Sequence, residues 1–361
     1  MENRLLPFMA KVGTGARGAK DLTYPEAFAA MNAILDRAYH PVTLGAFLLA
    51  ERWKPESVEE LSAFLDSMSM RLKRPEQNNP PAGLLDCAGS FDGKVRTLHV
   101  GLGASLVAAA GGAPMVMHGS ENIPAKEGST PFHVLRAMGI EASRGLLEIL
   151  QNLNACHIAY LHQPLYNPPV HALLEERRQV GKRTFLNTIE PLANPLRAPI
   201  HIGGFFHREY GGRICEAIRG SHIGFKRVFM VMGIEGSEEI RPDRSYVAEL
   251  REGDIHTYYI EPEALGFSIP RDAAEARIQD RQGITIESAE RIQRVLKGEE
   301  QSGFRDLILV NAALRLYASG RVGSLEAGAQ AAEEALKSGQ AREILARWKE
   351  RAPLKESGPV I

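Results

Sequence analysis

The chain has 361 residues, 44% of them hydrophobic and 24% charged, with a formal net charge of −1. This composition is that of an ordinary globular protein with one large core and room for a smaller domain, and the charge argues against a basic surface spread over the whole molecule. The scattered cysteines, the absence of a signal-peptide pattern and the absence of a long apolar run argue against a disulfide framework, a zinc site and a membrane span, so we expect a cytoplasmic protein.

The first third of the chain has the periodicity of amphipathic helices. The predicted helices cover residues 25–39, 42–53 and 57–72. Ser57 is followed three residues later by Glu60, which is the spacing of a capping box. Helices joined by such short connections predict a small N-terminal helical bundle over residues 1–80.

Beyond a stretch rich in proline and asparagine at 75–83, short apolar runs alternate with helical patterns. This alternation predicts crossover units and hence an α/β domain with a mostly parallel central sheet flanked by helices, over residues 84–348. We expect the helix around 168–183 to join the bundle and residues 352–361 to form a flexible tail. The strand candidates are residues 96–100, 113–119, 156–162, 226–236 and 254–262.

Glycine-containing loops follow successive strand candidates. Residues 97–100 lead into Gly101-Leu102-Gly103 and a helix of small residues. Glycine lets the backbone approach a ligand, and the free N–H groups of a helix N-terminus favour a phosphate. A second loop runs from His118 to Thr130, and a third precedes both at residues 87–94. Loops at one edge of a parallel sheet predict a phosphate site, although the first loop alone is also explained by a plain strand–helix turn.

These loops resemble the motifs of the anthranilate phosphoribosyltransferase family, which has a nucleoside-phosphorylase-type fold. CAGSFDG, TLHVGL and MHGSENIPAKEGST stand, in order, where the family has GTGGD, TFNIST and KHGNR…KSGSAD. The stretch LYNPPVHALLEERRQVGKRTFLNTIEPLANPL resembles the family's RRELGxRTxFNxxGPLxNP region, and residues 233–239 occupy the place of its acidic metal motif. The resemblance covers residues 8–345.

The resemblance implies transfer of ribose 5-phosphate from phosphoribosyl diphosphate to an aromatic amine such as anthranilate, as in tryptophan biosynthesis. It also implies Mg²⁺ as cofactor and a homodimer formed through the helical bundle. Catalysis of this kind consists of positioning and charge neutralisation, so no side chain is assigned as acid or base. The residues implied for phosphoribosyl diphosphate are Gly89, Asp92, Thr97, Gly101, Gly103, Lys126, Gly128 and Ser129; for the amine, His118, Gly119 and Arg177; for the metal, Glu238 and Glu239.

Taken singly, each of these residues has a plainer interpretation. A lone histidine such as His118 is more often structural, and Lys126 could be a surface lysine. Arg177 belongs to the charged run EERR, which could be a solvated helix face, and Glu238 and Glu239 could be solvated carboxylates at a strand end. The functional interpretation therefore depends on whether the fold brings these residues together.

The sequence departs from the family's pattern at positions that would face the substrates. The loop at residues 87–94, which stands where the family has GTGGD, has lost most of its glycines, and the acidic pair begins with Glu238 instead of aspartate. Each change lowers the affinity that we expect for phosphoribosyl diphosphate and anthranilate. The remaining departures are His99 and Gly101 in TFNIST, Met117, Ser120 and Glu121 in KHGNR, and Glu190 in GPL.

The departures resemble those of a divergent sister group, some members of which lack the transferase activity and bind nucleic acid through basic grooves of a dimer. The second hypothesis is therefore a non-catalytic protein that binds nucleic acid electrostatically. Solvated helix faces are the alternative interpretation of the basic clusters. These clusters are Lys11/Arg17/Lys20, Arg71/Lys73/Arg74 and Arg177/Arg178/Lys182/Arg183.

Overall fold

The computed structural model describes residues 2–15, 17–75 and 80–354. The N-terminal region is a helical bundle, as predicted. Its helices are α1 (Leu6–Val12), α2 (Tyr24–Leu35), α3 (Pro41–Trp53) and α4 (Val58–Met70). Ser57 caps α4 as predicted: Ser57 Oγ accepts the Glu60 N–H at 3.2 Å, and the Glu60 carboxylate accepts the Ser57 N–H at 2.8 Å.

The rest of the chain folds into an α/β unit around a seven-stranded sheet. The strands are β1 (Leu85–Cys87), β2 (Met115–Gly119), β3 (Ile158–His162), β4 (Ile200–Gly204), β5 (Arg227–Val231), β6 (Ser245–Arg251) and β7 (Asp254–Ile260). The helices are α5 (Val100–Ala110), α6 (Pro131–Ala137), α7 (Leu146–Cys156), α8 (Gln163–Tyr166), α9 (Pro168–His171), α10 (Leu174–Val180), α11 (Phe185–Ile189), α12 (Arg208–Gly220), α13 (Arg281–Leu296), α14 (Gly303–Ala318), α15 (Leu325–Lys337) and α16 (Gln340–Arg351). Among the described residues, no helix combines the length and apolarity needed to cross a membrane.

The sheet order is β3-β2-β1-β4-β5-β6-β7, with β1 to β5 parallel and β6 and β7 antiparallel to their neighbours. The prediction of a mostly parallel sheet flanked by helices is therefore confirmed. The carboxyl ends of β1, β2, β4 and β5 meet at one edge, and the loops that leave this edge carry most of the predicted site residues.

The predicted strand over residues 96–100 is wrong. The Glu235 carboxylate accepts the backbone N–H groups of Val95, Arg96 and Thr97, and Leu98 N–H donates to the carbonyl of Ala274. These donors are thus unavailable to a sheet ladder, and α5 already begins at Val100. The strand that feeds this loop is β1, only three residues long.

The bundle and the sheet share a hydrophobic core. Leu61 and Phe64 of α4 belong to the same cluster as Val116 of β2 and Val228 of β5, and Phe64 stacks on Phe185 with ring centroids 4.2 Å apart. The predicted helix over 168–183 consists of α9 and α10, and α10 packs on α3. Of the predicted tail, residues 355–361 lie outside the described residues, whereas 352–354 pair with 139–141.

A buried carboxylate lies at the C-terminal end of α3. Glu51 is fully buried, neither of its carboxylate oxygens has a hydrogen-bond partner, and Lys54 Nζ is 3.4 Å away. Burial, reinforced by the Glu60 charge, raises the pKa of Glu51 to about 8, from an ordinary value of 4.5. The folded protein therefore keeps this proton over a pH range in which the unfolded chain has lost it.

The Glu51→Gln variant should be more stable than the wild type at pH 8 and about equally stable at pH 4.5. Because the folded pKa is raised, wild-type stability falls as pH rises from about 4.5 to about 8, and the amide removes that loss. We expect a gain of about 2 kcal/mol or more at pH 8, measured as the shift in Tm. Glu209→Gln, at an exposed position of α12, is the control; an equal gain at both pH values would contradict this account.

Candidate active site

The loops that follow β1 and β2 are joined by a short antiparallel bridge. Lys94 N–H donates to the Ser129 carbonyl at 2.7 Å, and Ser129 N–H donates to the Lys94 carbonyl at 2.9 Å. Gly93 has φ +86°, and a Cβ there would lie 2.5 Å from the carbonyl carbon of Gly128. Only glycine fits where the two loops approach each other this closely. This close approach holds Lys126 near Asp92.

Glu235 ties the loop after β5 to the segment that precedes α5. In addition to the backbone N–H groups already described, its carboxylate accepts the Thr97 hydroxyl at 2.8 Å. Burial opposes ionisation, but Lys94 and these hydrogen bonds outweigh it and lower the pKa of Glu235. The loops after β1, β2 and β5 therefore form one connected structure at the carboxyl edge of the sheet.

The acidic pair lies behind the N-terminus of α5. Glu239 Oε1 accepts the Gly101 N–H at 2.7 Å and Glu239 Oε2 pairs with Lys94, while Glu238 Oε1 accepts from Arg315 Nη2 at 2.9 Å. A Cβ at Gly101 would lie 2.5 Å from Glu238 Oε1, so a side chain at this position would collide with the pair. The helix N-terminal N–H that we predicted to bind a phosphate thus holds a carboxylate of the chain itself.

The metal-binding prediction depends on which carboxylate oxygens of Glu238 and Glu239 are free of hydrogen bonds. Glu238 Oε2 is buried without a hydrogen-bond partner, whereas the other three oxygens of the pair are engaged. No group of three or more His, Cys, Asp or Glu side chains in the described part of the chain is arranged to hold a metal ion. Mg²⁺ in phosphate-binding enzymes commonly takes one or two carboxylates and completes its shell with phosphate oxygens and water. The residues fit an ion that arrives with a phosphorylated substrate.

Accessible positive charge lies at the mouth of these loops. Lys126 Nζ is 3.7 Å from Asp92 Oδ1 and 3.9 Å from Glu235 Oε2, and Arg183 pairs with Asp92 from the other side. Both cations lie over the Phe206 ring, 5.0 and 5.1 Å from its centroid. Burial lowers the pKa of Lys126, but both side chains keep some solvent exposure, so a phosphate can reach them.

His118 is buried in a chain of polar groups. Its Nδ1 lies 2.7 Å from the Tyr166 hydroxyl and its Nε2 lies 3.3 Å from Asp86 Oδ2, which also contacts His201 Nδ1 at 2.8 Å. Burial opposes ionisation of Asp86, but the two histidines outweigh it and lower its pKa. Both ring nitrogens of His118 are thus engaged inside the protein. Gly119 follows it, and a Cβ there would approach the Tyr160 hydroxyl to 3.1 Å.

Arg177 is also buried and does not lie on a solvated helix face. Arg177 Nη1 donates to Glu190 Oε1 at 2.8 Å, and Nη2 lies 2.7 Å from Glu190 Oε2. Gln163 Nε2 donates to the same Glu190 Oε1 at 2.6 Å. The guanidinium predicted to pair with the amine substrate's carboxylate is therefore paired with a carboxylate of the chain.

The remaining predicted residues divide into two groups. Ser129 Oγ lies 2.8 Å from Thr285 Oγ1 and 3.2 Å from His99 Nε2, close to the joined loops, and Gly89 belongs to the loop after β1 with φ +68°. Gly103 instead faces α14: a Cβ there would lie 2.7 Å from Ile308 Cδ1. This glycine therefore permits close packing of α5 on α14.

Several residues at the site were missed by the sequence analysis. Lys94, Glu235 and Arg315 neutralise or connect the predicted residues, yet no motif singled them out. Arg315 lies in the middle of the helical pattern of α14, which gives no sign that its guanidinium would reach a carboxylate after β5. Lys94 and Glu235 stand next to predicted residues, so their proximity in sequence was the available signal.

Half of the ten residues in the basic clusters of the second hypothesis are paired with carboxylates. Arg71 Nη1 lies 2.8 Å from Asp36 Oδ1, and Arg178 Nε lies 2.8 Å from Glu127 Oε1. Lys11 pairs with Glu26 at 2.5 Å. These contacts lower the positive charge that the clusters can offer to a nucleic acid.

Comparisons with known proteins agree with the fold. The model of the glycosyl transferase family helical bundle domain matches residues 7–70, and that of the glycosyl transferase family a/b domain matches residues 83–342. An anthranilate phosphoribosyltransferase from Methanosarcina acetivorans is 32% identical over 89% of this chain and 83% of its own length. The chain belongs to the anthranilate phosphoribosyltransferase family. This membership confirms the resemblance seen in the sequence.

Solved structures of anthranilate phosphoribosyltransferases support the same assignment. The Thermus thermophilus structure has a TM-score of 0.80 and 26% identity, and it covers 95% of this chain and 98% of its own. The Saccharomyces cerevisiae structure in complex with PRPP and Mg has a TM-score of 0.80 at 19% identity, covering 96% and 97%, which shows the shared fold.

Proposed function

We propose that this protein transfers ribose 5-phosphate from phosphoribosyl diphosphate to an aromatic amine such as anthranilate, as in tryptophan biosynthesis. The observation that carries the proposal is the convergence of the loops after β1, β2 and β5 around Lys126, in a chain that belongs to this family.

The buried thiols of Cys87, Cys156 and Cys215 are all free, which suits a reducing, cytoplasmic setting.

The reaction requires positioning more than acid–base chemistry. The bond from ribose C1 to the diphosphate oxygen breaks and its electron pair leaves with the diphosphate. The amine nitrogen then supplies the pair for the new C1–N bond, and the proton that it loses passes to the solvent or the diphosphate. Lys126 and Arg183 are placed to neutralise phosphate charge, and the Lys94–Ser129 bridge fixes the loop that presents Lys126.

Mg²⁺ belongs to this proposal as an ion that enters with phosphoribosyl diphosphate. Glu238 Oε2 is the free carboxylate oxygen that would contact it, and Glu239 stays engaged with Lys94 and Gly101. When bound, the ion would supply positive charge to the leaving diphosphate. Because Arg315 and Lys94 already balance the acidic pair, we expect little affinity for Mg²⁺ in the absence of the substrate.

Calorimetry tests this proposal against the nucleic-acid hypothesis. We expect phosphoribosyl diphosphate to bind in the presence of Mg²⁺, and Mg²⁺ alone to give no heat. A generic DNA oligomer at two salt concentrations serves as the comparison, since electrostatic binding of nucleic acid weakens steeply with salt. No heat from the substrate, together with salt-sensitive binding of DNA, would overturn the enzyme proposal.

A homodimer through the helical bundle completes the proposal. Val42, Leu49 and Trp53 lie along one side of α3 and are exposed, at 85%, 43% and 83%, and Leu6 of α1 is also exposed. An apolar helix stripe of this kind indicates an interaction surface. Light scattering coupled to size exclusion should give twice the monomer mass for the wild type and less for Val42→Lys; a monomeric wild type at tens of micromolar would exclude this arrangement.

A further inference from the structure

The contact between Arg177 and Glu190 bears on the choice of acceptor. Arg177 Nη1 donates a hydrogen bond to Glu190 Oε1 at 2.8 Å, and Nη2 lies 2.7 Å from Glu190 Oε2 as an ion pair that is not aligned for a second hydrogen bond. Both residues are fully buried, so water does not screen the pair. A carboxylate on the amine substrate would have to displace Glu190 and leave it buried without a partner, which is strongly unfavourable.

Two further polar atoms beside this pair lack hydrogen-bond partners. Gln163 Oε1 is buried and lacks a hydrogen-bond partner, as does His171 Nδ1. The orientation of the Gln163 amide is fixed, because only its NH₂ can face the Glu190 carboxylate. The free oxygen can accept a hydrogen bond from a donor group, and an ionised carboxylate has no such donor.

The charges around the Arg177–Glu190 pair also disfavour an acceptor with a carboxylate. Burial lowers the pKa of His171, and the negative charges of Glu121 and Glu190 oppose this shift only in part. A hydrogen bond from His162 Nε2, at 2.5 Å, lowers the pKa of Glu121 to about 2, so Glu121 is ionised. With Glu190 balancing Arg177, this neighbourhood has no excess positive charge to attract an anionic acceptor.

We propose that Glu190 is a specificity-determining residue which, by occupying Arg177, makes the acceptor site select an aromatic amine with an uncharged, hydrogen-bond-donating substituent over one with a carboxylate. The inference rests on the proposed function and narrows its acceptor class. Glu190 acts through Arg177 and is a positioning residue, with no contact to the reacting atoms assigned to it.

The test compares two probes of nearly the same shape. Anthranilate carries a carboxylate next to its amine, and 2-aminobenzamide carries an uncharged carboxamide at the same position. With saturating phosphoribosyl diphosphate and Mg²⁺, we expect the wild type to have a KM for the amide at least about tenfold below that for the acid. Glu190→Gly should reverse the order by freeing Arg177. Because an unpaired buried Arg177 could destabilise that variant, Glu190→Gln is the second variant, with thermal unfolding as the check on its fold.

Equilibrium binding of both probes, followed by their fluorescence with Mg²⁺ and diphosphate present, separates this inference from the proposed function. A preference for the amide that Glu190 substitution removes supports the inference even if no product forms, and in that case the proposed function alone fails. Tighter wild-type binding of anthranilate, equal changes for both probes in the Glu190 variants, or binding of neither probe would each overturn it.

Discussion

The Arg315→Met variant should lose about 3–5 kcal/mol of unfolding free energy, because it leaves Glu238 buried without its partner. The guanidinium also donates to Ser105 Oγ at 3.2 Å and to the Asn311 carbonyl at 3.0 Å, so its loss leaves further groups unsatisfied. A chain of this length need not unfold in two states, so Tm by calorimetry is the appropriate measurement, with an expected decrease of roughly 5 °C or more.

The double variant Arg315→Met/Glu238→Gln should recover most of that stability. Removing both charges abolishes the unpaired buried carboxylate, so the penalty of the single variant should largely disappear. Arg342→Met, at an exposed position of α16, is the matched control and should change Tm very little. If the double variant were as unstable as the single one, the pairing of Arg315 with Glu238 would not be the source of the effect.

The Lys126→Met variant should weaken the binding of phosphoribosyl diphosphate by about 10- to 100-fold, the usual effect of losing one hydrogen bond to a charged phosphate. Lys126 is the lysine that reaches the mouth of the joined loops, whereas the Lys94 ammonium is buried against Glu239. The effect should appear in the Kd measured by calorimetry. It should also appear in the KM for phosphoribosyl diphosphate, measured with the amine at a saturating concentration.

Lys337→Met provides the control for this substitution, since Lys337 is an exposed lysine of α15 far along the chain from the loops. It should leave Kd unchanged. A Kd for Lys126→Met that matches the wild type would mean that the phosphate does not bind at this mouth, and the assignment of Lys126 would have to be withdrawn.

The sequence predicted the architecture because hydrophobic periodicity and capping signals depend on local residues. Ser57 and Glu60 marked the start of α4 correctly, and the alternation of strands and helices gave the parallel sheet. It did not predict β1, β4 or β6. Residues 245–251, SYVAELR, contain good helix formers, and they adopt a strand because β5 and β7 pair with them on both sides.

The sequence predicted which loops would meet at the candidate site, but it did not predict the charge balance there. Asp92, Lys126 and Ser129 come from separate motifs, and the structure brings them to one edge of the sheet. The partners of the acidic pair and of Arg177 come from distant positions, including Arg315 on α14 and Glu190 after α11. Such pairings depend on side-chain reach across the folded core, and no local pattern encodes them.

The most direct test of the proposed transfer is product formation. The protein is incubated with phosphoribosyl diphosphate, Mg²⁺ and either anthranilate or 2-aminobenzamide, and both the released diphosphate and the phosphoribosylated amine are quantified. The account predicts that the two products appear in equal amounts, only when amine and phosphoribosyl diphosphate are both present, and much more slowly with Lys126→Met. Absence of the phosphoribosylated amine with either acceptor, at protein concentrations comparable to those of the substrates, would contradict it.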